Sequence, residues 1–196
     1  MKFEELQEKI FEVYYPGKHI IDSGYKYLYD AVSRTPMESV VEIGILMGFG
    51  SIILCAAAEE RGLKYYGIDP WDLIDSGDHA PLKHFVGAHV NTEKIARRVM
   101  AELKFNNYEL IKGFSYDAAK DFNEPIGMLF IDGCHCYECV KKDFLLWSPK
   151  IIKDGLIIFH DAGFDGVGKV IEGIAKRDPN FIEIRNVPIE TYKKIS

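Results

Sequence analysis

The sequence predicts a doubly wound α/β fold, with a mostly parallel sheet, helices on both faces and a late antiparallel strand. Three observations predict it. Short apolar runs of strand length, Ser39–Ile43, Lys64–Ile68, Tyr108–Ile111, Met128–Ile131 and Leu156–Phe159, alternate with segments of helical period, and strands alternating with helices build parallel sheets. Gly127–Asp161 forms a complete strand–helix–strand unit, so its two strands should be parallel neighbours that end at one sheet edge. A glycine-rich turn, Gly44–Gly50, follows the first strand, where an α/β sheet turns into its first helix.

In order, Phe3, Leu6, Ile10 and Val13 form the stripe of a helix over residues 2–15, which Pro16-Gly17 ends. Ile21, Tyr25, Leu28 and Val32 line one face of a second helix over 20–33. Both precede the first strand, so residues 1–35 read as a helical cap and 36–196 as the core of a single domain. Ser51–Glu60, rich in small residues, is the helix after the glycine turn. Lys64–Ile68 is the second strand, and Pro70 stops it after Asp69. Gly77, Pro81 and Gly87 break up residues 72–92, which read as a loop or broken helix. Glu93–Phe105 carries Ile95, Val99 and Leu103 in helical register. Tyr108–Ile111 is the third strand, and Ser115–Phe122 a short helix with Ser115 as its N-cap. Between the strands Met128–Ile131 and Leu156–Phe159, the stripe Tyr137, Val140, Phe144 and Trp147 marks a helix that Lys153-Asp154-Gly155 breaks. A glycine-bearing loop, Ala162–Gly168, leads to a helix ending near Lys176. Phe181–Arg185 and Ile189–Tyr192 close the sheet around Val187-Pro188.

The 196 residues suffice for one sizeable α/β domain, and 47% hydrophobic with 28% charged content is ordinary for a globular chain. A net charge of −6 argues against non-specific nucleic-acid binding and offers no basic surface to an anionic membrane. The longest apolar run, Ile52–Ala58, is too short to span a bilayer. The first residues, MKFEELQEKI, lack a signal-peptide core, so a cytoplasmic location is the expectation. No nucleic-acid or membrane partner is expected, and a homo-oligomer is left open.

Chemistry-bearing residues collect at the strand ends. Asp132 follows the fourth strand and His160-Asp161 end the fifth, with His135 three residues beyond Asp132. Parallel neighbours bring all four to the carboxyl edge, where open α/β sheets bind ligands. Clustered titratable groups in such a place read as a site. At the first strand, Glu42 precedes Gly44, Gly48 and Gly50, and the helix starting at Ser51 offers free N–H groups. This turn departs from the dinucleotide fingerprint G-x-G-x-x-G, and the Glu42 carboxylate would repel a diphosphate. Asp69, ending the second strand, is placed to accept hydrogen bonds from a ribose diol.

An ordered set of motifs carries a resemblance. Glu42-x-Gly44-x-x-x-Gly48, Gly67-Ile68-Asp69-Pro70-Trp71, Gly113-x-Ser115, Ile131-Asp132-Gly133-x-His135-x-Tyr137 and the terminal His160-Asp161 follow one another in the chain. Over about residues 38 to 165 the sequence resembles the class I S-adenosylmethionine-dependent methyltransferases, specifically the small-molecule and sugar O-methyltransferase-like family (methyltransferase domain family 24 type). The resemblance implies a Rossmann-like sheet and S-adenosyl-L-methionine as cofactor. It implies that Glu42, Gly44 and Gly48 shape the methionine and ribose end of the pocket. Asp69 would hold the ribose hydroxyls, Trp71 flank the adenine, and Gly113 and Ser115 lie near it. Tyr137 and Lys141 read as structural.

Relatives of that family use a divalent metal held by acids at the ends of the fourth and fifth strands. Asp132, His160 and Asp161 fall at those places; Asp132 is also expected in the catalytic set with His135, the natural general base, and, like Ser51, at the cofactor. An imidazole in the set tilts the ion from magnesium toward manganese, iron or zinc. The acceptor would be a small hydroxylated molecule, a sugar or natural-product intermediate, with the 72–92 loop and the N-terminal helices as its walls. His79, His84 and His89 match no metal spacing and read as surface. The sequence departs from the family at Cys134, Cys136 and Cys139, which stand where an acid, a serine and a glycine are expected. Consecutive residues such as Cys134-His135-Cys136 rarely aim at one ion, so reduced thiols are expected there rather than zinc. Rival readings are a non-catalytic S-adenosylmethionine-binding protein, a metal-dependent hydrolase built on the strand-end Asp/His cluster, and a nicotinamide-dependent oxidoreductase, against which Glu42 and the missing fingerprint count.

Overall fold

The computed structural model describes residues 1–14, 23–71, 90–185 and 189–196. Its sheet contains β1 (Ser39–Ile43), β2 (Tyr65–Asp69), β3 (Tyr108–Lys112), β4 (Ile126–Ile131), β5 (Ile151–Phe159), β6 (Phe181–Arg185) and β7 (Glu190–Lys194). The strand order is β3-β2-β1-β4-β5-β7-β6. The first five strands pair in parallel. β7 runs antiparallel between β5 and β6. The late antiparallel element therefore sits inside the sheet, and β6 takes the edge. No described helix is long and apolar enough to cross a membrane.

The helices are α1 (Phe3–Tyr14), α2 (Ser23–Arg34), α3 (Phe49–Glu60), α4 (Thr92–Glu102), α5 (Ser115–Asp121), α6 (Tyr137–Trp147) and α7 (Asp165–Gly173). Alternating strand residues serve opposite faces, and the core divides accordingly. On one face Val40, Tyr65, Met128, Phe130 and Ile158 pack with α1, α2, α3 and α4. On the other, Val41, Ile43, Leu129, Ile157 and Phe159 pack with α5, α6 and α7. β1 and β4 are buried along their whole length, as strands covered on both faces must be. The N-terminal helices thus build one covering layer together with α3.

Three local expectations change. The break after α6 comes at Ser148-Pro149, where the proline closes the helix through a 3-10 turn; Lys153-Asp154-Gly155 lie inside β5. They form an irregularity in its pairing with β4, and Asp154 takes a positive φ of 67°. The N-cap of α5 is Phe114, because the Ser115 hydroxyl is drawn away to Asp143. α3 begins at Phe49, with Gly48 as a left-handed cap at φ 90°. Pro16-Gly17, the 72–89 part of the expected substrate wall with His79, His84 and His89, and Val187-Pro188 lie outside the described residues.

Candidate active site at the carboxyl edge

The strand order reverses between β1 and β4, and the loops leaving their carboxyl ends face each other there. This is the crevice in which doubly wound sheets bind ligands. The two ends meet in atomic contact. Gly44 has a φ of 93°, and a Cβ on it would overlap the carbonyl of Asp132 and the backbone of Gly133. Only glycine fits that conformation and that approach. Three non-glycine residues also hold positive φ at this edge: Leu46 (51°), Trp71 (48°) and Asp161 (53°). Such conformations persist where the surroundings enforce them and concentrate at functional sites.

In the β1–β2 half every acid is satisfied from within. Glu42, 1% exposed, accepts hydrogen bonds from the hydroxyls of Ser51 and Tyr65. Burial pushes its carboxyl up to about 8, against the pull of those two donors. Ser51, also buried, therefore contributes its hydroxyl to Glu42. The Asp69 carboxylate accepts the N–H of Ile45 at 2.7 Å, of Leu46 at 2.8 Å and of Trp71 at 2.6 Å. It ties the β1 turn to the end of β2. The Trp71 indole donates to the Leu46 carbonyl at 2.9 Å, and the Arg97 guanidinium lies 5.1 Å over its ring. The Gly113 N–H donates to the Asp69 carbonyl at 3.1 Å, and the Ser115 carbonyl accepts the Trp147 indole N–H at 3.2 Å. Asp143, the buried partner of the Ser115 hydroxyl, is pushed up to about 7 by burial.

The β4–β5 half is built differently. His135 Nε2 stands 3.1 Å from Asp161 Oδ2. His160 Nδ1 stands 2.9 Å from Asp132 Oδ1 and 3.2 Å from Asp161 Oδ2. Yet both ring nitrogens are buried without an aligned hydrogen bond. Buried polar atoms are almost always paired, and an exception points to a ligand or ion. One ligand atom each from Asp132, His135 and Asp161 lies within 4.8 Å of the others. Carboxylate oxygens and imidazole nitrogen are donors suited to a divalent transition ion, so these residues fit such a metal.

The charges reinforce one another. The imidazoles of His135 and His160 hold the Asp161 carboxyl far below the usual carboxylate range. Burial alone would lower His160, but Asp132 and Asp161 outweigh it and push the imidazole up to about 10. Desolvation raises Asp132, with His160 opposing.

Two features here were not read from the sequence. Phe164 stacks on the His135 ring at 4.4 Å between centroids and is 53% exposed. A lone aromatic in a glycine-bearing loop carries no periodic signal that could have found it. The second is the cysteine group. The Sγ atoms of Cys134, Cys136 and Cys139 lie within 4.8 Å of one another, contrary to the divergence expected of neighbours. The reason is local. Cys136 is the N-cap of α6 and its Sγ accepts the Cys139 N–H at 3.3 Å; the Cys134 Sγ in turn accepts the Cys136 N–H at 3.3 Å. An N-cap residue and the third residue after it share a helix face. All four cysteines are thiols, and burial pushes Cys139 up to about 11.

A glycine-bent turn and acids gathered at the switch point of a five-strand parallel core with a reversed last pair define a class I methyltransferase fold. A family model described as a methyltransferase domain matches residues 41–162. The chain belongs to this family of S-adenosylmethionine-dependent methyltransferase domains. Among curated proteins, an uncharacterized protein of Sinorhizobium fredii is 31% identical over 132 residues, covering 62% of this chain and 13% of the relative. An uncharacterized protein of Acanthamoeba polyphaga mimivirus is 35% identical over 127 residues, covering 62% of this chain and 50% of the relative. The chain thus spans half or less of the length of either. Among solved structures, the O-methyltransferase NovP matches with a TM-score of 0.70 at 17% identity, over 88% of this chain and 80% of NovP. A Streptococcus mutans protein in complex with SAH matches at 0.63 and 13%, over 90% and 100%. The TDP-rhamnose 3'-O-methyltransferase CalS11 matches at 0.57 and 14%, over 98% and 80%. At these identities the likeness is one of fold.

Proposed function

We propose that the protein transfers a methyl group from S-adenosylmethionine to a hydroxyl of a small molecule, with a divalent metal held at the β4–β5 edge. One observation carries this reading: two imidazole nitrogens facing two carboxylates at the switch point, at hydrogen-bond distance but without alignment. The family match, which spans β1 to the end of β5, supports the cofactor. The named activities of NovP and CalS11 support oxygen, and for CalS11 a sugar, as the acceptor type.

Methyl transfer is an in-line displacement, so the protein must align acceptor oxygen, methyl carbon and sulfonium. The turn at Gly44 and Gly48 would admit the methionine end, and Asp69 with Trp71 the nucleoside. Asp132, His135 and Asp161 would hold the ion, which when bound supplies a Lewis acid that lowers the hydroxyl's pKa. We place His135 among the ligands because its Nε2 belongs to the group within 4.8 Å. His160 Nδ1, 2.9 Å from Asp132 Oδ1 and 3.2 Å from Asp161 Oδ2, then faces both acids without being a ligand. The alternative gives His160 the ligand place and leaves His135 as general base oriented by Asp161.

The test is an acceptor panel of sugars and phenols with S-adenosylmethionine, scored for S-adenosylhomocysteine with and without magnesium or manganese. Acceptor-dependent product that needs metal supports the reading. Cofactor binding without product on any acceptor would favour a non-catalytic binder. Metal binding lost in His160→Ala but kept in His135→Ala would install the alternative arrangement.

A further inference from the structure

The loop from β4 to α6 carries a second set of potential ligands that the methyl-transfer reading does not use. In the run Cys134-His135-Cys136 the side chains part company. His135 turns to Asp161 and Phe164. Cys134 and Cys136 turn to Cys139, one helical turn on. We propose that Cys134, Cys136 and Cys139 form a three-sulfur site for zinc(II), separate from the carboxylate–imidazole group beside it, with the fourth position taken by a non-protein ligand.

Geometry supports this first. A zinc ion with sulfurs at about 2.3 Å in tetrahedral array needs them about 3.8 Å apart. The three Sγ atoms already lie within 4.8 Å of one another, so small side-chain rotations suffice. The loop is also held in place. Gly166 of α7 packs so closely that a Cβ there would overlap the His135 carbonyl and the Tyr137 N–H. The Cys136 Sγ is fixed by its capping bond to the first turn of α6, an 11-residue helix. The N-terminal end of such a helix favours negative charge, and so favours thiolates over thiols once an ion is present.

Donor chemistry separates the two groups. Three sulfurs select a soft or borderline ion, whereas two carboxylates and an imidazole suit harder ones. The same short loop supplies Asp132 and His135 to one group and all three sulfurs to the other. An ion on the sulfurs would therefore lock the backbone that presents His135. A Cys136–Cys139 disulfide is the competing use of these residues, but it needs an external oxidant.

The experiment uses the full chain, reduced and stripped of metal, titrated with cobalt(II) as a spectroscopic stand-in and then with zinc(II). The expected result is one equivalent of cobalt with strong sulfur-to-metal charge transfer, displaced by zinc. That band should vanish in Cys139→Ser and persist in Asp161→Ala. No sulfur charge transfer, a band that survives Cys139→Ser, or a band lost in Asp161→Ala would each overturn the site. Since a serine variant could unfold, the wild-type protein is also alkylated with and without zinc and read by mass spectrometry. Zinc should protect Cys134, Cys136 and Cys139 together; unchanged labelling would refute the proposal. Neither readout involves cofactor or acceptor, so its failure is independent of the methyltransferase reading.

Discussion

The two halves of the carboxyl edge carry similar acids in opposite states. In the β1–β2 half, Glu42 and Asp69 are answered by five donors from the protein itself: two hydroxyls and three backbone N–H groups. In the β4–β5 half, Asp132 and Asp161 face imidazole nitrogens that make no aligned hydrogen bond. The first arrangement builds the turn that a cofactor would meet. The second brings donor atoms of Asp132, His135 and Asp161 within 4.8 Å of one another. Position at a strand end alone therefore does not set what a carboxylate does; the alignment of its partners differs between the two halves.

The contact between the halves carries the largest expected effect. Gly44→Ala must overlap Asp132 and adopt a conformation that L residues avoid. A loss of about 3 kcal/mol or more is expected, from overlap and strain together. Denaturant unfolding checks it, and a change under about 0.5 kcal/mol would show that the two ends are not in contact. The next effect is at Asp69. Asp69→Ala strands three N–H donors, and each unsatisfied group costs about 1–3 kcal/mol where buried. Lower melting temperature together with weakened S-adenosylhomocysteine binding is expected. Intact stability would mean that the turn holds without it.

Stability against pH reads the buried acids directly. Burial raises Glu42 to about 8 and Asp143 to about 7. Both bind a proton more tightly folded than unfolded. Their stabilising contribution is complete below the ordinary carboxyl range and is lost as pH rises through 7 to 8. Each group can add a slope of up to about 1.4 kcal/mol per pH unit. Asp143→Asn should flatten its share of that slope in chemical denaturation between pH 5 and 8, and an unchanged slope would contradict the raised Asp143 carboxyl. The smallest effect is at Phe164. Its exposed ring covers His135, so Phe164→Ala should leave stability within about 0.5 kcal/mol. It should instead shift acceptor KM, measured by steady-state kinetics once an acceptor is known.

Periodicity made the sheet legible: β1, β6 and α6 fall on the residues that their apolar patterns mark out. The expected convergence of Asp132, His135, His160 and Asp161 follows from one topological rule about parallel neighbours. What escaped the sequence was decided by single contacts. Ser115 has the chemistry of an N-cap, but a buried carboxylate competes for its hydroxyl. Lys153-Asp154-Gly155 look like a stop, yet one positive φ at Asp154 lets β5 run through them. The three sulfurs converge because a helix begins at Tyr137 and sets Cys136 and Cys139 on one face. Spacing alone in an extended chain would have kept them apart.

Calorimetry separates the cofactor half of the edge from the proposed metal half. The purified protein is titrated with S-adenosylhomocysteine and, separately, with manganese, for wild type, Asp69→Ala and Asp161→Ala. Asp69→Ala is expected to lose the nucleoside and keep the metal, and Asp161→Ala to do the reverse. Nucleoside and metal binding lost together in both folded variants, or neither ligand binding to the wild-type protein, would contradict that separation.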